Sequence, residues 1–461
     1  MDLINRKNMN IESVNSFKSK FNKALFLLLL TSCFACQTGK EDPYRFIKWV
    51  NPFIGTAPLL DTGIIGYVPP EDMRVWAGLT FPGASLPNAM VQLSPITRFT
   101  SGAGYEYENS VIYAFAHTNL GHWNLCHIPV LPVLNTTGQL SSRFSHDRES
   151  ALPGYYQVYL DDFDIDVELT ATLRAGFHKY KYTGKSDRKV AFNLSKSNEK
   201  VREWHIEMAG ERAVSGFQDT GRKIFFYAEF NHDIDEIEQI SMSGSDYSIV
   251  NLPFQNEDVV EMKIGLSFVS EVNAKENIEA EIGDKTFEQV KLAAFDTWEE
   301  HLGKIEVTGG TDKQREMFYS SLYRSFLWPA LRSDVNGEYT DIKGNVVKGD
   351  FNYYTVPALW DTYRNKLVLL GMLSPEVAND VIRSLIDIGD KTGFIPTYFH
   401  GDHAAAFIAG SYLRGIADYD IGKAYQLLLQ NATVEGGTRP YIKEYMEKGY
   451  ISTPEVENHI V

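Results

Sequence analysis

Cysteine is scarce: three in 461 residues, too few for a disulfide framework. Positive charge is short as well. There are 44 Lys and Arg against 60 Asp and Glu, a formal net charge of −16, which argues against a nucleic-acid partner, since that needs a basic footprint. The sequence has no phosphate-cradling glycine loop, no Gly-x-Ser-x-Gly elbow and no His-Glu-x-x-His helix, so three common chemistries lose their usual signatures. Internal repeats and low-complexity tracts are missing too. What the chain has in quantity is aromatic, with 27 Phe, 25 Tyr and 7 Trp. That supply suits a large core, with some rings left for flat apolar ligand faces. A composition of 44% hydrophobic and 23% charged residues is ordinarily globular, and this length suggests about two to four domains.

Two of the cysteines sit in a leader. "NKALFLLLLTSC" places Lys23 before the apolar run Ala24–Leu30, followed by Leu30-Thr31-Ser32-Cys33. The run is too short to span a bilayer, which takes about 20 residues. A basic flank, an apolar stretch and small residues describe a secretory signal. Leu-Thr-Ser-Cys also resembles a bacterial lipobox, so residues 1–33 are expected to be a lipoprotein signal with Cys33 lipidated. Cys36 is a poorer candidate, and a plain secretory signal or a buried strand is the alternative. The expected location is an exported lipoprotein, periplasmic or on the outer membrane or cell surface, held on a membrane by an acyl anchor.

From 44 to 283 the texture is β. In "DIDVELTATL", Ile165, Val167, Leu169, Ala171 and Leu173 share one face and polar residues the other. Many such runs without helices between them predict an antiparallel β-sandwich. Helical spacing begins in "KTFEQVKLAAFDTWEEHLGK", a helical linker over 284–310. An all-α domain is expected from 311 to 461, with helices after Thr311 and over 358–371, 375–390, 402–417 and 420–430. "TPEVENHIV" reads as a capped helix start, Thr453 then Pro454, that stops early, and the expectation is a truncated chain.

Four stretches could carry chemistry. In "ALWDTYR", Trp360 and Arg364 are i, i+4 and Asp361 and Arg364 i, i+3 on a helix. They make either a surface ion pair beside a core Trp, or a pocket rim where the indole packs a ring, Asp361 accepts hydroxyl hydrogen bonds and Arg364 orients the carboxylate. In "FHGDHAAAFIAG", Asp402 is either an N-cap or a ligand contact, and His403 beside it is exposed or a ligand contact. "HTNLGHWNLCH" holds His117, His122, Cys126 and His127, where zinc is conceivable but the spacing lacks a tight ligand pair. "LTFPGASLPNAM" reads as a turn that exposes backbone.

Taken in order, these stretches resemble glycoside hydrolase family 92, calcium-dependent exo-α-mannosidases. "VNPFIGT" (50–56), "LTFPGASLPNAMVQLSP" (79–95), "FAHTNLG" (115–121), "RFSHDRESALPGYYQVYL" (143–160), "VELTATLRAGFHKY" (167–180), "ALWDTYR" and "GDHAAAFIAGSYLRGI" (401–416) carry the resemblance. It implies a β-sandwich followed by a partial (α/α)6 toroid, inverting hydrolysis of terminal α-mannosides from glycans, and a calcium ion. Trp360, Asp361 and Arg364 would contact the terminal mannose, Asp402 and His403 would share that face, and His117 and the Phe81-Pro82-Gly83 loop would approach from the sandwich. The family's general acid and base, and most calcium ligands, would fall beyond Val461, so no catalytic residue or metal ligand is assigned. Asn88-Ala89 and "NLGHWNLC" depart from the family's usual residues and leave the linkage open. The rival readings are a non-catalytic glycan-binding fragment or gene relic, and a phosphorylase or lyase with the same two domains.

Overall fold

Alternation builds the first half. In the strand Ile165–Ala171, Ile165, Val167, Leu169 and Ala171 are buried while Asp166 and Glu168 are half-exposed, as one-sided burial at period two requires. Leu173, expected on the same face, falls in the turn that follows. Its carbonyl accepts the Met90 and Val91 N–H groups at 2.8 and 3.2 Å. The computed structural model describes residues 44–452 except 60, 62, 64–65, 67, 69–77, 121–122, 135, 137–139, 184–187, 254–258, 397–400 and 438. The leader with Cys33 and Cys36, His122, and the helix start at Thr453 lie outside the described residues.

Two antiparallel sheets face each other. The larger runs Glu203–Met208, Ala213–Asp219, Lys223–Phe230, Val259–Ser267, Ala175–Tyr182, Ile165–Ala171, Tyr155–Leu160, Glu149–Leu152. The smaller runs Ala84–Ser85, Gln92–Ile96, Ala114–Ala116, Val130–Val133, Arg188–Phe192, Ser245–Leu252, Glu236–Met242. Rings from opposite sheets meet between them: Phe192 and Phe226 stack at 5.7 Å, and Phe115 lies 6.4 Å from Tyr156. This is the expected sandwich.

One helix was not legible in the β texture. Helix α1, Glu271–Glu281, lies within the span expected to be sandwich and is capped by Ser270, whose hydroxyl accepts the Asn273 N–H. Its inward face is mixed, with Ala274 and Ile278 beside the buried amides of Asn273 and Asn277, so it presents no apolar stripe. Those amides donate to the buried Asp334 carboxylate at 2.9 and 2.8 Å. The expected linker is helix α2, Phe287–Gly303, opened by a capping box on Thr286. It is packed on the large sheet rather than spanning solvent. Phe287 meets Phe177 edge-on, and the fully buried Trp298 donates to the Ser85 carbonyl at 2.7 Å. Gly154, at φ +81°, lets the sheet approach, since a Cβ there would come 2.8 Å from Ala294 Cβ.

Helix α3, Asp312–Ser325, carries a second capping box on Thr311. It binds the "VNPFIGT" segment: Ser320 Oγ accepts the Asn51 N–H, and Arg324 donates to the Pro52 and Ile54 carbonyls at 2.6 and 2.8 Å. The next stretch docks on the sandwich. Asn88 donates to the Pro329 carbonyl and Gln92 to the Leu327 carbonyl. Asn88 is in the left-handed region at φ +53°, a conformation Asn tolerates. The Ala330 carbonyl in turn accepts the Thr355 N–H at 2.9 Å, which leads the chain to the helices of the second half: α4, Leu359–Thr362; α5, Lys366–Leu373; α6, Pro375–Thr392; α7, Ala404–Leu413; α8, Ile421–Thr433; and α9, Ile442–Lys448. Among the described residues no helix is long and apolar enough to cross a membrane.

Candidate functional site

The helix expected over 358–371 is two helices with a corner between them. Tyr363 keeps helical dihedrals and its N–H reaches the Leu359 carbonyl at 3.0 Å. Asn365 then departs to φ −127°, ψ −80°, and its side-chain oxygen accepts the Lys366 N–H to start α5. Polar side-chain capping of this kind breaks a helix without glycine or proline. Leu359, Leu367 and Leu370 are buried beneath the corner. Trp360 is 41% exposed, and Asp361 and Arg364 are exposed. Indole, carboxylate and guanidinium therefore stand on the open side. Asp361 and Arg364 form no ion pair with each other within 4 Å among the described residues, so the surface-pair reading loses its main support.

The structure joins this corner to the start of α7. The Tyr363 ring stacks on the His403 imidazole, centroids 4.3 Å apart and planes 8° from parallel, and the Arg364 guanidinium lies 5.1 Å from the Tyr363 ring. Stacking fixes both planes at a gain of about 1 kcal/mol. Gly401, at φ +66°, sits against the imidazole: a Cβ there would come 2.8 Å from His403 Nε2. Asp402 is not the N-cap. His403 occupies that position without a side-chain cap, and the Asp402 carboxylate is 3% exposed. It accepts from Arg439 Nε at 3.0 Å and Asn431 Nδ2 at 3.3 Å. Asn431 also clamps the backbone of Ile395 through its Oδ1 and Nδ2. Asp402 thus holds the loop that presents His403.

His117 is elsewhere. It is fully buried between the two sheets, its Nδ1 2.8 Å from the Ile128 carbonyl and its Nε2 3.1 Å from His178 Nε2. Both ring nitrogens are used inside the sandwich, and burial pushes its pKa down to about 4. Cys126 is buried, and burial raises its thiol pKa. His127 turns to Thr118 Oγ1 and to the Glu199 carboxylate. These three do not converge. Among the described residues no three His, Cys, Asp or Glu side chains could together hold a metal ion. The expected calcium therefore finds no cluster of three such side chains among the described residues. The Phe81-Pro82-Gly83 loop is buried, and its continuation at Asn88 bonds to the 326–331 segment.

Three residues of this assembly carried no assigned role in the sequence. Tyr363 was visible in the motif, but its partner lies 40 positions on. Arg439 and Asn431 gave no signal, because a carboxylate's partner at a separation of 37 or 29 residues follows no local rule.

Comparison with known proteins gives the lineage. Residues 49–283 match the glycosyl hydrolase family 92 N-terminal domain and residues 273–460 its catalytic domain. An uncharacterized secreted glycosidase of Arthroderma benhamiae is 25% identical over 423 residues, covering 78% of this chain and 50% of that one. A family GH92 α-mannosidase from Bacteroides thetaiotaomicron superposes with a TM-score of 0.77 at 24% identity, over 88% of this chain and 59% of that one. A family GH92 inverting mannosidase from the same organism does so at 0.77 and 23%, over 90% and 60%. The chain spans about half to three-fifths of the length of these relatives. Its sandwich followed by helices is their fold, a β-domain leading into an (α/α) toroid. With its N-terminal half and most of the remainder matching the two family domains in order, this chain belongs to glycosyl hydrolase family 92.

Proposed function

We propose that the corner at Trp360–Arg364 and His403 grips the terminal sugar of an α-mannoside, and that the protein is exported and works as an exo-acting, inverting α-mannosidase on glycans. The observation that carries this reading is the Tyr363–His403 stack beside three exposed groups of complementary kind. A pyranose offers a C–H face to Trp360 and hydroxyls to Asp361, while Arg364 supplies donors. His403, held flat by Tyr363, offers a ring nitrogen in a fixed plane. Two solved relatives are described as mannosidases, one in complex with mannoimidazole. Inverting hydrolysis uses two carboxyl groups about 6.5–9.5 Å apart. Neither Asp361 nor Asp402 is assigned to that pair, and Asp402 is already committed to Arg439 and Asn431.

Calorimetric titration with mannoimidazole tests the grip. Binding is expected, and Asp361→Ala should weaken it by roughly 30-fold, the loss of a charge-assisted hydrogen bond. Unchanged affinity, or no binding by the wild type, would remove the corner from the site. Mannose release from an aryl α-mannoside with the β-anomer appearing first supports the enzyme. Binding without release supports the glycan-binding reading. Export follows the leader, and a relative described as secreted supports it. Anchoring at Cys33 is part of the same proposal.

A further inference from the structure

A second cleft opens at the far end of the small sheet. It has a volume of about 550 Å³ and is lined by Phe99, Tyr113, Tyr247, Asn109, Asn193 and Lys196 among others. The strand Gln92–Ile96 places it: Gln92, at one end, donates to Leu327 and so marks the joint with the helical half, while Thr97, just past the other end, lines the cleft. Five residue steps of extended chain put roughly 16 Å between them. The cleft belongs to the sandwich alone.

Its lining has the two kinds of group that a sugar ring needs. Phe99 and Tyr113 have centroids 6.5 Å apart at 59°, so their rings form an angled wall, and Tyr247 adds a third ring. Polar groups surround them with unused capacity. Asn193 Oδ1 accepts from Ser195, while its Nδ2 has no partner among the described residues. Asn109 Nδ2 donates to Glu106, whose carboxylate also meets Arg98 at 3.5 Å, which internally compensates that charge. Lys196 Nζ sits 4.5 Å over the Phe99 ring and pairs with no carboxylate among the described residues. An angled aromatic wall, a spare amide donor and an ammonium with free donors match the apolar face and hydroxyl edge of a pyranose.

We infer that this cleft is a saccharide-binding subsite, separate from the corner at Trp360 and independent of the mannosidase reading. It would hold a glycan to the sandwich while another part of the same glycan reaches the helical half. The test uses the Asp361→Ala chain, in which binding at the corner is weakened, and reads the cleft from the substitutions within it. Mannotriose, cellotriose, chitotriose and galacturonotriose are the probes, read by saturation-transfer NMR and calorimetry. At least one is expected to bind. Tyr113→Ala with Tyr247→Ala should weaken it by about tenfold or more, given two lost ring contacts, and Lys196→Gln should weaken it in the same direction. Should the double variant not fold, the exposed Lys196→Gln decides alone. Binding of none of the four probes, or affinity untouched by the cleft substitutions, overturns the inference.

Discussion

His117→Asn should flatten the acid limb of the stability curve. The proton positions around His117 are forced. The Ile128 carbonyl can only accept, so His117 Nδ1 carries the hydrogen; its Nε2 then accepts from His178, and His178 Nδ1 accepts from the Tyr180 hydroxyl at 2.8 Å. One more proton would set two donors face to face in a dry interior. Burial holds His117 at about 4 against an ordinary 6.5, and His178 is pushed down in the same way, with the His117 charge adding to it. Between those two values the unfolded chain binds more protons than the folded one. The contribution is therefore whole above pH 6.5 and drains as pH falls toward 4. For His117 alone it amounts to about 3 kcal/mol, at 1.36 kcal/mol per unit. Asn keeps a side-chain N–H for the Ile128 carbonyl and does not titrate. Urea unfolding at pH values from 4.5 to 7.5 would give both curves. The variant should be less stable at neutral pH, because His178 loses its acceptor, yet its slope below 6.5 should be shallower by about one proton, near 1.4 kcal/mol per pH unit. The other depressed histidines, His127 and His301, act equally in both proteins and cancel. Parallel curves would refute the forced-proton argument.

Other expectations are more local. Tyr363→Ala should lower mannoimidazole affinity about tenfold by releasing the His403 ring, while Tyr363→Phe, which keeps the stack, should restore it; equal loss in both would move the effect to the hydroxyl. Arg439→Ala strands a buried carboxylate, and we expect a loss of about 2 kcal/mol in denaturant unfolding that Asp402→Asn partly relieves when combined. Trp298→Ala should cost about 3–5 kcal/mol, read as a lower unfolding midpoint. Cys33→Ala should abolish incorporation of labelled palmitate in a bacterial host, and retained label would point to Cys36.

The sandwich was legible because one-sided burial imposes period two, and Ile165–Ala171 obeys it. Helix α2 was legible from its helical apolar spacing and α3 from its cap at Thr311. What escaped was set by partners distant in sequence. Helix α1 turns amides inward because Asp334 waits for them. The corner at 363–365 is broken by an asparagine that a local rule reads as neutral. Asp402 looked like a cap, but Arg439 and Asn431 take its carboxylate. His117 stood in a family motif, yet the strand that carries His178 makes it core. Several motif stretches prove to be joints: "VNPFIGT" is gripped by Arg324, and Arg174 of "TLRAGF" reaches the Ser333 carbonyl and Glu281.

The Arg324 grip also has a consequence in time. Its bonds to Pro52 and Ile54 span 272 and 270 positions, and the Asn51–Ser320 bond beside them spans 269. A ribosome or a secretion channel delivers the chain from one end. Residues 50–56 therefore emerge long before α3 exists and wait through the synthesis of the whole sandwich. At about 5–20 residues per second that delay is roughly 15–50 s. Closing so long a loop comes late in assembly. The opening motif is thus a strap fastened late, and a protease acting during those seconds would find it loose.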